Sequence, residues 1–181
     1  MMCMKTYYWF NRNRLLSHLR GSFWALAIVG ASLTLPSAEA GRPGPARGGF
    51  FPCFTYAGSP RQVGQNLIIR FNVTTTVTGT FTGSLDGTEL DVVHRDGSIT
   101  LHGSALFTGS VNGTSGTLLF TYTGIGNAVT GHENLHFVGR GTDGLAGIYV
   151  EKTAEGDLGA PNPGCDVSGT GTYTGHILFA P

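Results

Sequence analysis

After residue 41 the chain offers no run of ten glycine-free residues with helical period and a cap, and this excludes most folds at once. What it offers instead is alternation. Leu67, Ile69, Phe71, Val73 and Val77 fall at alternate positions among Arg, Asn and Thr, the period of a strand with one buried face. Thr74-Thr75-Thr76-Val77-Thr78 is β-branched throughout and suits a pleated, half-buried surface. The pattern predicts a long strand or strand pair over residues 66–82.

Turn signals follow at short intervals: Asp86-Gly87, Asp96-Gly97, Asn112-Gly113, Asp143-Gly144 and Glu155-Gly156. Asp-Gly and Asn-Gly between alternating runs mark hairpins, because both central residues of a type I′ turn need positive φ. The runs between them predict strands over 88–95, 98–110, 114–123, 133–141, 145–152 and 167–179. Seven or eight short strands in an even meander predict an all-β domain, an antiparallel up-and-down β-barrel of about eight strands, with a β-sandwich as the alternative.

The first forty residues differ in kind. Lys5, Arg12, Arg14 and Arg20 precede an uncharged stretch centred on residues 23–29, and Ala38-Glu39-Ala40 places small residues where a signal peptidase reads. This is the pattern of a secretory signal peptide over 1–40, cleaved before Gly41. An uncleaved anchor is the competing reading. It needs roughly 20 apolar residues, and residues 23–35 supply 13, interrupted by Gly30, Ser32 and Thr34. Residues 41–52 read as a Pro/Gly-rich linker and 53–181 as the barrel domain. The product is expected to be secreted, or periplasmic in a Gram-negative host, with no membrane span after cleavage.

Two cysteines remain after cleavage, Cys53 and Cys165. An isolated pair in an exported chain predicts a disulfide. Asn72 and Asn112 head N-glycosylation sequons, relevant only in a host that glycosylates. Beyond residue 40 stand seven Arg and Lys against ten Asp and Glu, and Lys152 is the one lysine. That balance excludes the basic footprint of a nucleic-acid binder.

His132-Glu133-Asn134-Leu135-His136 matches H-E-x-x-H, in which two histidines one helical turn apart bind zinc and the glutamate is general base. The surrounding glycines oppose a helix, and Thr142 stands where the longer signature has a third histidine. In a strand His132 and His136 share a face about 13 Å apart, too far for one zinc, and Glu133 points the other way. The metalloprotease reading is therefore subordinate to a chance match in a strand, and no cofactor is expected. Glu89 and Asp91 also share a strand face. They read either as a surface pair or as acids raising one another's pKa. Phe50-Phe51-Pro52-Cys53-Phe54 with Tyr56 is an aromatic cluster that either covers one barrel end or forms a recognition surface.

Phe107-Thr108-Gly109-Ser110-Val111-Asn112-Gly113-Thr114-Ser115-Gly116-Thr117-Leu118 resembles the hairpin of small, largely uncharacterised barrels grouped with allene oxide cyclase. Gly139-Arg140-Gly141-Thr142-Asp143-Gly144-Leu145-Ala146-Gly147-Ile148 resembles their glycine-rich strand pair, and Gly169-Thr170-Gly171-Thr172-Tyr173 their approach to the last strand. The resemblance spans residues 66–180. It implies an eight-stranded barrel with an apolar interior and carries over no catalytic residue.

The functional expectation is a barrel that binds a small apolar ligand, lined by Phe71, Tyr122, Phe137 and Tyr149. The alternatives are a barrel cyclase or isomerase acting on a hydrophobic substrate, and a cell-surface structural or interaction protein. A buried acid facing an apolar pocket favours the cyclase; a tightly filled interior favours the structural role. Oligomeric state is left open.

Overall fold

A computed structural model describes residues 42–179. The proposed signal peptide lies outside the described residues. The strands are β1 (Gly44–Tyr56), β2 (Arg61–Val63), β3 (Asn66–Gly79), β4 (Phe81–Val93), β5 (Ser98–Val111), β6 (Thr114–Asn127), β7 (His132–Thr142), β8 (Ile148–Gly159) and β9 (Val167–Phe179). From β3 to β9 each pairs antiparallel with the next. β1 pairs with β9 on one side and β3 on the other, closing an eight-stranded antiparallel barrel that β2 extends at the edge of β3. Closure leaves those eight strands no unpaired edge.

Three of the five turn signals sit at turns. At the tip of the β5–β6 hairpin Asn112 and Gly113 have φ of 50° and 86°, the left-handed pair a type I′ turn requires. Asp86-Gly87 and Glu155-Gly156, read as turns, instead lie within β4 and β8. Gly87 faces the lumen, where a Cβ would collide with the Ser104 carbonyl and Ala105. The glycine is there for close approach of strands and not for a reversal.

The segment 41–52, read as a linker, also differs. Gly44–Tyr56 is a full barrel strand with Ala46, Phe50, Pro52 and Phe54 directed inward. Pro52 is tolerated because the ladder to β9 is interrupted between Phe50 and Cys53. Gly48 is required because the Tyr173 ring and the Thr78 carbonyl press on it. Coil-forming composition is overridden by two neighbouring strands.

The end of the barrel holding the β3–β4 and β5–β6 hairpins is packed solid by Phe81, Phe107, Leu118, Leu145, Ile148 and Ile177. Phe81 and Phe107 meet edge to face at 5.7 Å, a favoured aromatic geometry. Inside it, the Tyr173 hydroxyl accepts from the Phe81 N–H and donates to the Thr78 carbonyl, both at 3.0 Å. It thus completes the backbone bonding of the β3–β4 connection. Tyr173→Phe is expected to cost about 2 kcal/mol, because both backbone groups lose their partner. Urea midpoints check this, with Tyr56→Phe at the exposed rim as the silent control.

At the opposite end the predicted disulfide joins Cys53 in β1 to Cys165 just before β9, with a Cα–Cα distance of 5.2 Å. A second apolar cluster of Phe54, Phe71 and Val73, with Ile69, Leu158 and Val167 against it, lies at this end.

Candidate functional site

Between the packed end and the disulfide end the lumen narrows to a cavity of about 50 Å³. Its walls are mostly apolar: Phe50, Pro52, Phe54, Val73, Val77, Leu85, Leu135, Phe137 and Leu158 among them. On β8 the lining residues run from Lys152 through Ala154 and Gly156 to Leu158, about 20 Å of strand at roughly 3.3 Å per residue. The cavity is long and thin.

Two polar groups interrupt the apolar wall. The first is a set of carboxyls, Glu89 and Asp91 from β4 and Glu133 from β7, only 5 %, 4 % and 4 % exposed, of which Glu89 and Glu133 line the cavity and Asp91 lies beside them. One oxygen from each lies within 4.8 Å of the others. Their side chains point inward because they share strand parity with Phe81 and Leu85 on β4, and with Leu135 on β7. Two glycines make room. A Cβ at Gly126 would press on Glu133, and one at Gly103 would strike the Tyr122 ring. Across Gly103 the Tyr122 hydroxyl reaches and donates to Glu89.

Burial raises all three acids. Glu89 is held well above the ordinary carboxyl range by burial and then by the neighbouring Asp91 and Glu133 charges. Asp91 is raised to about 6 by burial, opposed by its hydrogen bond with Glu89. Glu133 is raised to about 7, by burial and then by Asp91. Protonated Glu89 donates to Asp91, which is how two carboxyls tolerate such proximity. One oxygen of each acid nevertheless has no protein partner. Three hard oxygen ligands at this spacing also match the needs of a divalent cation.

The second polar group is Lys152, on β8 and 4 % exposed. It is the one lysine among the described residues. Its Nζ lies 4.6 Å from the ring centroid of Tyr173, 4.7 Å from Phe120, 4.8 Å from Phe137 and 5.0 Å from Phe81. Among the described residues no carboxylate pairs with it. Burial pulls its pKa down to about 7. The rings give an ammonium a face to interact with but no hydrogen-bond acceptor.

The expected ligand residues divide. Tyr122 and Phe137 line the cavity, stacked on each other at 4.7 Å. Phe71 belongs to the cluster at the disulfide end, between Phe54 and Tyr56. Tyr149 is outside the barrel and 40 % exposed, with the Arg140 guanidinium 5.2 Å from its ring centroid. It is opposite in parity to Val150 and Lys152, so it leaves the lining. The aromatic cluster at β1 divides too: Phe50, Pro52 and Phe54 line the cavity, while Phe51 and Tyr56 are exposed.

The H-E-x-x-H segment is a strand. His132 and His136 lie on the outer surface, where His132 Nδ1 is 2.8 Å from Asp157 and His136 Nε2 is 3.2 Å from Glu151. Of the three signature residues only Glu133 enters the lumen, beside Leu135. Sequence reasoning paired Glu89 with Asp91 on one strand face but did not join Glu133 to them, and gave Lys152 no role in a site. The usable signal was parity: Lys152 occupies an inward position in the series Ile148, Val150, Lys152, Ala154.

A protein of unknown function of the DUF3224 family from Shewanella oneidensis MR-1 has a similar solved structure. The TM-score is 0.60 at 19 % identity, over 77 % of this chain and 98 % of the other. This likeness supports the barrel fold. No family model and no curated protein matches the sequence.

Proposed function

We propose that this barrel binds one small, mainly apolar, linear molecule in its lumen, anchored by a hydrogen-bond donor on the carboxyl cluster. The observation that carries the reading is the pair of unpartnered oxygens on Glu89 and Glu133 in the wall of an apolar cavity, with a third on Asp91 packed behind them. A buried acceptor without a donor costs about 1–3 kcal/mol, and a ligand amine or hydroxyl removes that cost. A cavity with convergent polar groups in an apolar wall is the ordinary form of a small-molecule site. The volume holds roughly four waters, so the ligand is slender and its tail runs toward Phe50, Pro52 and Leu158. The Cys53–Cys165 disulfide supports a place of work in an oxidising compartment.

Titration with hexan-1-ol followed by ¹H–¹⁵N spectra tests the reading. Saturable shifts are expected at Tyr122, Leu135 and Ala154, diminished in Glu133→Gln. Shifts confined to outward-facing residues, or none, would overturn it.

A barrel isomerase, the activity class suggested by the resemblance to the allene oxide cyclase group, is the second reading. It is favoured by the same acids, since a carboxyl titrating near neutrality beside an apolar cavity is suited to general acid–base work. On this reading the protein speeds α-proton exchange of hexan-2-one with D₂O, and Glu133→Gln abolishes the effect.

A further inference from the structure

Resting on the lumen-binding reading above, we infer that Lys152 is a covalent anchor, forming a reversible imine with the carbonyl group of a small apolar aldehyde or ketone held in the barrel. Lysine is ordinarily the most solvent-exposed of side chains. Here the domain's one described lysine is instead placed inside, as part of the cavity wall. Its stem crosses from β8 into the box formed by Phe81, Phe120, Phe137 and Tyr173, and no acid comes within pairing distance among the described residues. A lysine kept only for stability would carry a counter-ion, because an unpaired buried cation is costly.

The surroundings match both halves of imine chemistry. Attack requires the free amine, and burial without a carboxylate favours that form near neutrality. The Nζ lone pair forms the C–N bond while the carbonyl π pair moves to oxygen, which takes up a proton given up by the nitrogen, leaving a neutral carbinolamine. Loss of water then leaves the C=N bond, with no oxidant or reductant consumed. When the imine is protonated its positive charge sits where four ring faces converge, the arrangement that stabilises a desolvated organic cation. The carboxyl cluster stands apart from this reaction. Glu133 pairs with Gly156 and Phe137 with Lys152 across β7 and β8, which sets Glu133 about 13 Å along the strands from the row of Lys152, and no carboxylate reaches the ammonium within pairing distance among the described residues. Glu133 and Lys152 therefore mark two positions along one cavity, a carbonyl-reactive one at Lys152 and a donor-binding one at Glu133, beside Gly156.

The test uses the full chain with hexanal and sodium cyanoborohydride at pH 7.5, read by intact mass and peptide mapping. Besides the adducts that the N-terminal amine and Lys5 form, peptide mapping is expected to place one on Lys152, forming about tenfold or more faster than on Nα-acetyl-lysine amide, since the free-amine fraction is far larger. The adduct disappears in Lys152→Met, which is close in volume and removes an unpaired charge, so the barrel is expected to persist. Hexan-1-ol binding is measured in parallel. Hexanol binding in the lumen with no Lys152 adduct, or with an adduct formed no faster than in urea-unfolded chain, overturns the covalent role and leaves lumen binding standing. Failure of hexanol to bind as well overturns both.

Discussion

Equilibrium stability is expected to pass through a minimum near pH 7 and to rise on both sides, the reverse of the usual maximum between about pH 5 and 8. The cause is the sign of the interior shifts. Asp91 and Glu133 ordinarily titrate at 3.8 and 4.5 and are raised to about 6 and about 7 in the fold. Between these limits the folded chain holds more protons than the unfolded one, so stability present below pH 4 is lost as pH climbs toward 7. Lys152 has the opposite sign. Its pKa falls from 10.5 to about 7, so between pH 7 and 10.5 the unfolded chain holds more protons and stability recovers as pH rises. At about 1.4 kcal/mol per pKa unit, Asp91 and Glu133 together make the acid limb on the order of 6–7 kcal/mol and Lys152 makes the alkaline limb on the order of 5 kcal/mol. Urea midpoints from pH 4 to 10 measure it. Glu133→Gln should roughly halve the acid limb, and Lys152→Met should flatten the alkaline limb. A single maximum at neutrality would show that the interior groups keep ordinary pKa values.

Removing the disulfide is expected to have an effect of similar size. Cys53 and Cys165 are 112 residues apart, and closing a loop of that length contributes about 4–5 kcal/mol on the chain-entropy account. The bond also holds the end of β1 beside the start of β9, next to the apolar walls of Phe54 and Val167. Reduction, or the double variant Cys53→Ser/Cys165→Ser, should lower the urea midpoint by about 2 M at a typical m-value. The loss should be common to the whole barrel, because β1 closes the sheet on both sides. A shift of a few tenths of a molar would show that the strands close the barrel unaided.

The barrel itself was legible because alternation and Asn-Gly or Asp-Gly turns are local signals with a local cause. Asn112-Gly113 reverses the chain in the sequence as it does in the fold. Misreadings occurred where a glycine serves a distant neighbour. Gly87 exists because β5 presses against β4, and no window of β4 alone contains that fact. Reading Asp86-Gly87 as a turn cut β4 in two and hid that Glu89 and Asp91 continue the inward series of Phe81 and Leu85. β1 was missed for a related reason: Gly44, Pro45, Gly48, Gly49 and Pro52 are poor strand formers that two flanking strands compel. The carboxyl cluster forms only when the curvature of the closed sheet brings β4 and β7 across the lumen, a long-range fact. The parity of Lys152 was local and readable. What obscured it was the expectation that a charge faces water.

The closing position of β1 has a consequence in time. It is the first strand of the domain to leave the ribosome, yet it bonds to β9, which is the last. During synthesis β3 to β8 can zip hairpin by hairpin while β1 has only β3 to hold, and Cys53 has no partner until Cys165 emerges. Sheet closure and disulfide formation are therefore deferred to the end of chain growth, and pairings between distant strands are the slow ones. A chain interrupted before residue 165 keeps an open, sticky edge and a free thiol, the condition in which a quality-control protease or a second unfinished chain finds it.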